Sequence, residues 1–83
     1  MIKCDKPNIL CEVVKEAEDG DSLIFRLFEC NNSKTVANIS FGFDAESVEL
    51  CDMNEEVIEK LPLVDGRVEL TFGAFEIHTI KVK

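Results

Sequence analysis

The run Val68-Glu69-Leu70-Thr71-Phe72 is followed, after only Gly73 and Ala74, by Phe75-Glu76-Ile77-His78-Thr79-Ile80-Lys81-Val82. Both runs are rich in β-branched and aromatic residues. Two such segments joined by a short glycine-containing link predict an antiparallel strand pair. The same pattern holds upstream. Over residues 35–43, Ala37, Ile39, Phe41 and Phe43 alternate with Val36, Asn38 and Ser40, the clearest period-two signal in the chain. Residues 9–16 and 23–29 read as a first hairpin whose turn is Glu18-Asp19-Gly20-Asp21, acidic residues around a glycine that takes positive φ at no steric cost. Asn31-Asn32-Ser33-Lys34 is a second turn, and Asp65-Gly66 is a two-residue hairpin signal before a strand over 67–72. Residues 48–53 read as a fourth strand. Residues 54–60 read as loop or as one helical turn capped by Asn54, and 61–64 as an edge segment, because Pro62 cannot donate to a ladder. Short strands separated by turn chemistry predict an all-β fold: a small antiparallel β-sandwich of six to seven strands, immunoglobulin-like.

Eighty-three residues suffice for one domain, 1–83, with 1–8 as a polar lead-in ending at Pro7-Asn8. Hydrophobic residues make up 46% of the chain, enough for one core and too many for a disordered tail. No run approaches the roughly 18 apolar residues that span a bilayer, and the N-terminal residues lack the apolar segment of a secretory leader. The expectation is a cytoplasmic protein, or a fragment cut from a longer chain with Met1 supplied for expression. Seventeen Asp and Glu against nine Lys and Arg give a net charge of −8, with the lysines scattered. Phosphate backbones and anionic lipid demand clustered cations, so nucleic acid and membrane are not expected partners. Cys4, Cys11, Cys30 and Cys51 contain no C-x2-C pair, so a structural zinc site is not expected, and without a leader free thiols are favoured over disulfides.

Alternation assigns an inward set: Cys11, Val13, Leu23, Phe25, Leu27, Ala37, Ile39, Phe41, Phe43, Val48, Leu50, Val68, Leu70, Phe72, Phe75 and Ile77. In the last run the inward set begins as Phe75 and Ile77 but ends as Ile80 and Val82. That change of parity predicts a bulge near His78-Thr79.

Catalytic machinery is not visible. His78 is the only histidine, sits mid-strand, and reads as a rim residue. Glu29 and Glu76 could be mistaken for the acid and nucleophile of a glycosidase, yet nothing in the spacing brings them together, and strand carboxylates usually serve a solvated face or a nearby backbone. No phosphate loop, nucleophile elbow or metal motif occurs, so no catalytic, cofactor or metal residue is assigned. Independent sugar binding is disfavoured too. Pyranose faces stack on exposed Trp or Tyr, and this chain has neither, while five of its six Phe fall on core stripes.

Four pieces nevertheless occur in a telling order: Val14-Lys15-Glu16-Ala17-Glu18-Asp19, then Leu23-Ile24-Phe25-Arg26-Leu27-Phe28-Glu29, then Ser47-Val48-Glu49-Leu50-Cys51-Asp52-Met53, then Asp65-Gly66-Arg67-Val68-Glu69-Leu70 with the Phe75-Glu76-Ile77-x-Thr79-Ile80 ending. Together they resemble the extreme C-terminal β-domain of family 38 glycoside hydrolases, the retaining α-mannosidases, over roughly residues 12–82. Phe28 stands where that family more often has Tyr, and Gly73-Ala74 where a proline often precedes Phe-Glu. The resemblance implies that catalytic carboxylates and a zinc ion belong to an N-terminal domain outside these 83 residues. This chain would then be a non-catalytic accessory domain that needs no cofactor of its own. Two alternatives stand beside it: the terminal β-domain of another glycoside hydrolase, or a free-standing immunoglobulin-like interaction module.

An accessory domain needs a docking face. Leu10 and Val14 flank Glu12 on the first strand, and Ile24 and Phe28 flank Arg26 on the second. Pairing the strands gathers Leu10, Val14, Ile24, Arg26 and Phe28 on the face away from the core. A contiguous apolar patch of that kind marks an interface, here with the other domains of the parent chain and with Arg26 meeting a carboxylate. The isolated chain would then bury the patch by self-association. The competing expectation is that the loop within 54–64 folds over it.

Overall fold

A computed structural model describes residues 2–17 and 20–83, and for Val13 and Val14 the backbone alone. Among the described residues eight strands follow in chain order: β1 Ile2–Cys4, β2 Ile9–Glu16, β3 Leu23–Glu29, β4 Thr35–Phe41, β5 Val48–Cys51, β6 Val57–Leu61, β7 Arg67–Phe72 and β8 Ile77–Val82. They form two sheets with every neighbour antiparallel. One has three strands in the order β1-β4-β7, the other five in the order β2-β3-β8-β5-β6. The predicted sandwich is correct in class, with more strands than the six to seven expected. The lead-in contains β1, whose Ile2 and Cys4 pair with Phe41 and Ile39. Residues 57–61 pair with β5 as a strand where a helical turn was one reading. The loop before them is organised by Asp52, whose Oδ1 accepts the N–H groups of Asn54 at 2.8 Å and Glu56 at 3.0 Å, so Asn54 caps nothing.

The core lies between the sheets. The three-stranded sheet contributes Ala37, Ile39, Val68, Leu70 and Phe72; the five-stranded sheet contributes Ile9, Phe25, Leu27, Val48, Leu61, Ile80 and Val82. These side chains drive assembly, since a fully buried Phe, Leu or Ile contributes about 1.5–3 kcal/mol. Phe41 lies 6.3 Å from Phe25 across the seam and 5.6 Å from Phe43, centroid to centroid. The turns follow their residue chemistry. Asp65 and Gly66 both take positive φ (53° and 75°), closed by paired Val64 and Arg67 backbone hydrogen bonds of 2.9 and 3.0 Å. Gly20 also takes positive φ (77°), while Glu18 and Asp19 of that predicted turn lie outside the described residues.

Two inward assignments fail. Phe75 is 61% exposed and Ile77 59% exposed. No bulge occurs at His78-Thr79: β8 pairs with β3 in unbroken register, Leu23 to Val82 through Phe28 to Ile77. The inward parity of Val82 and Ile80 simply runs back through His78, which turns Ile77 outward, and Phe75 belongs to the turn before the strand. The register shift of the first hairpin lies instead in β2, between Val13 and Lys15.

Candidate functional site: a buried carboxylate and the outer face of the larger sheet

Glu29 ends β3 and is only 2% exposed. Its Oε2 accepts hydrogen bonds from Asn8 Nδ2 and the Asn31 N–H, both at 2.7 Å; its Oε1 accepts from the N–H groups of Phe75 at 3.0 Å and Ser33 at 3.1 Å. Asn8 Nδ2 also donates to Thr35 Oγ1 at 2.8 Å. One carboxylate thus ties the β1–β2 link, the β3–β4 turn and the β7–β8 turn to the end of the sandwich. Burial pushes its pKa up, but the hydrogen bonds from Phe75, Asn8, Asn31 and Ser33 outweigh this and bring it from 4.5 to about 2. A general acid needs a pKa near the operating pH, so Glu29 is not suited to donate protons to a glycosidic oxygen. Glu76 is likewise engaged. Its Oε1 accepts the Gly73 N–H at 2.8 Å and lies 3.3 Å from His78 Nε2. His78 Nε2 is 2.9 Å from the Thr71 carbonyl, and its ring lies 4.6 Å from that of Phe72. Glu29 and Glu76 are brought close, through the Glu29 N–H to Glu76 carbonyl bond of 3.0 Å, as parts of a structural turn.

That turn is strained. The Glu76 N–H closes onto the Gly73 carbonyl at 3.0 Å, and Phe75, third of the four residues, has φ 57°. Glycine normally holds this position, and a bulky side chain there is an outlier. The hydrogen bond to Glu29 holds it in place.

The outer face of the five-stranded sheet is read directly from the register. Leu10, Phe28 and Ile77 stand opposite one another on β2, β3 and β8, forming one apolar row. The next row is Glu12, Arg26, Thr79 and Cys51, and the third is Lys15, Ile24, Lys81, Glu49 and Lys60. Among the predicted docking residues, Leu10, Arg26 and Phe28 share this face; Leu10 is 46% exposed, and Arg26 and Phe28 are half-buried. Ile24 shares the face but is 1% exposed, so it offers nothing to a partner. The Val14 side chain lies outside the described residues. Lys15, directly across from Ile24, reaches Glu55 with Nζ–Oε2 3.0 Å, although β3 and β8 separate their strands in the sheet. The β5–β6 loop is therefore tied across the sheet to the strand beside Ile24, while the Leu10–Ile77 end stays open. Alternation taken from Phe75 turns Ile77 inward; the register running back from Val82 points it out. Met53 (92% exposed) and Ile58 (61%) join Ile77 around a groove of about 610 Å³ that no period-two pattern could reveal.

By contrast, the outer positions of the three-stranded sheet, Lys3, Asn38, Ser40, Arg67, Glu69 and Thr71, are polar, with Val36 the exception. Among the described residues no three His, Cys, Asp or Glu side chains are grouped to hold a metal. Nor, among the described residues, is any helix long and apolar enough to cross a membrane.

The fold is a two-sheet antiparallel sandwich whose buried strand carboxylate is engaged by loop hydrogen bonds, and comparison with known proteins assigns its family. The family model described as "Glycosyl hydrolases family 38 C-terminal beta sandwich domain" matches residues 8–80, so the chain belongs to that family. It is 32% identical over 79 residues to human Alpha-mannosidase 2C1, a match covering 89% of this chain and 8% of that protein. No solved structure matches.

Proposed function

We propose that this chain is the non-catalytic C-terminal accessory domain of a cytoplasmic, retaining, zinc-dependent α-mannosidase, and that it supports the catalytic part by docking through the outer face of its five-stranded sheet. The observation that carries the reading is the match over residues 8–80 to a domain that is 8% of the length of its human relative, Alpha-mannosidase 2C1. The remaining length is ample for a catalytic domain. The described residues group no side chains that fit a zinc site, so the metal is assigned to the rest of the parent chain and no step is routed through this domain. What these residues do is hold shape. Glu29 locks three loops at one end of the sandwich, and the apolar row presents a surface to neighbouring domains.

The test uses the parent reading frame and the 83-residue chain side by side, assayed with an activated aryl α-mannoside with and without zinc. The parent hydrolyses it with retention at the anomeric carbon, and deleting residues 8–83 of this chain from it removes most soluble activity. The 83-residue chain is inactive. Turnover by the short chain that disappears in Glu29→Gln or Glu76→Gln overturns the reading, as does a parent frame with no upstream catalytic residues.

A further inference from the structure

Five charged or titratable residues line the 610 Å³ groove: Arg26, Cys51, Asp52, Glu76 and His78. Three are already committed to their own loops. Asp52 Oδ1 accepts two backbone N–H groups, Glu76 Oε1 accepts the Gly73 N–H, and His78 Nε2 sits on the Thr71 carbonyl. Arg26 alone makes no hydrogen bond or ion pair with a described residue. Glu12 stands across from it on β2, yet no ion pair forms between them. A half-buried guanidinium flanked by an apolar row costs desolvation and returns little until it meets a carboxylate, preferably in two-point contact. The rest of the groove is mainly apolar: Ile77, Ile58, Met53 and Leu50 line it beside Thr79, and Leu10 and Phe28 extend the row to the sheet edge.

We infer that this groove receives one segment from the remainder of the parent chain, in which an Asp or Glu is flanked by aliphatic residues, with the carboxylate pairing to Arg26 and the aliphatic side chains seated against Ile77, Ile58 and Met53. The inference rests on the accessory-domain reading above and specifies the chemistry of its partner. The choice of occupant follows from two observations. The chain carries a net charge of −8, so a second copy brings mainly like charge to the seam. A relative of which this domain is 8% has ample chain to supply the segment. Arg26 supplies register, since it rejects a basic or wholly apolar segment in the same groove.

Two measurements test this. In the first, hydrogen peroxide oxidation of Met53 and phenylglyoxal modification of Arg26 are followed by mass spectrometry in the 83-residue chain and in the parent protein. Both reactions slow by about tenfold or more in the parent, as expected for residues moved from solvent into an interface core. In the second, Arg26→Met and Ile77→Ser leave the melting temperature of the 83-residue chain within about 2 °C of the unaltered one, as surface substitutions do. The same changes accelerate thermal inactivation of the parent mannosidase by about tenfold, Arg26→Met by removing one partner of a desolvated charge pair and Ile77→Ser by removing a buried apolar contact. Equal labelling rates in the two proteins overturn the inference while leaving the accessory-domain reading intact, provided the parent is an active mannosidase. Concentration-dependent protection of Met53 in the parent protein, with a dimer by sedimentation, also overturns it by assigning the groove to a second copy. An equal loss of stability in short chain and parent shows that Arg26 and Ile77 serve the fold, and overturns it as well. An inactive parent refutes the functional reading itself.

Discussion

Phe75 offers the sharpest check on the structure, because alternation assigns it to the core while the fold places it in a strained turn. Replacing it with glycine removes three contributions of known sign. The left-handed backbone at φ 57° costs an L-residue about 1–2 kcal/mol, which glycine recovers. Glycine's larger unfolded-state entropy costs about 0.5–1 kcal/mol. The ring is 61% exposed, so the burial lost is about 1 kcal/mol at most, a minor part of a buried phenylalanine's 1.5–3. The sum leaves Phe75→Gly within about 1 kcal/mol of the unaltered chain. Phe75→Ala keeps the strained φ and should be about 1 kcal/mol less stable than Phe75→Gly. Phe72, three positions earlier, is fully buried, and Phe72→Ala should lose about 3–5 kcal/mol, a large part of what a small domain holds. Urea unfolding followed by far-ultraviolet circular dichroism measures all three, since the chain has no Trp or Tyr for fluorescence. A loss above about 2 kcal/mol for Phe75→Gly would mean the ring is packed in the core and the turn is misread.

Two other outcomes follow from the same structure. The folded pKa of Glu29, about 2, lies below the ordinary 4.5, so its stabilisation is complete above pH 4.5 and is lost as pH falls toward 2; Glu29→Gln should be less stable at pH 7 and lose stability less steeply through that window, and an unchanged acid profile would refute the four-bond account. Burial pushes the Cys11 thiol up to about 11, with the neighbouring Cys4 adding to it, and burial raises Cys4 and Cys51 as well; a disulfide reagent at pH 8 should therefore label exposed Cys30 well before Cys11, and equal rates read by mass spectrometry would contradict the packing of β2.

The sequence by itself determined the class of fold. Alternation over residues 35–43 predicts the buried Ala37 and Ile39, and Asp65-Gly66 predicts the two-residue turn, because both depend on interactions a few residues apart. The ordered motifs likewise pointed to the family. Leu10, Arg26 and Phe28 were legible as one face because a hairpin sets its own register. Tertiary structure alone decided the rest. Glu29 reads as an ordinary strand-end acid until Asn8, Ser33 and Phe75, distant in sequence, converge on it. Ile24 reads as a docking residue until the β5–β6 loop is tied to Lys15 across two intervening strands. Ile77, Met53 and Ile58 meet around one groove because β8 lies beside β5, a pairing between segments more than two dozen residues apart that no local pattern encodes.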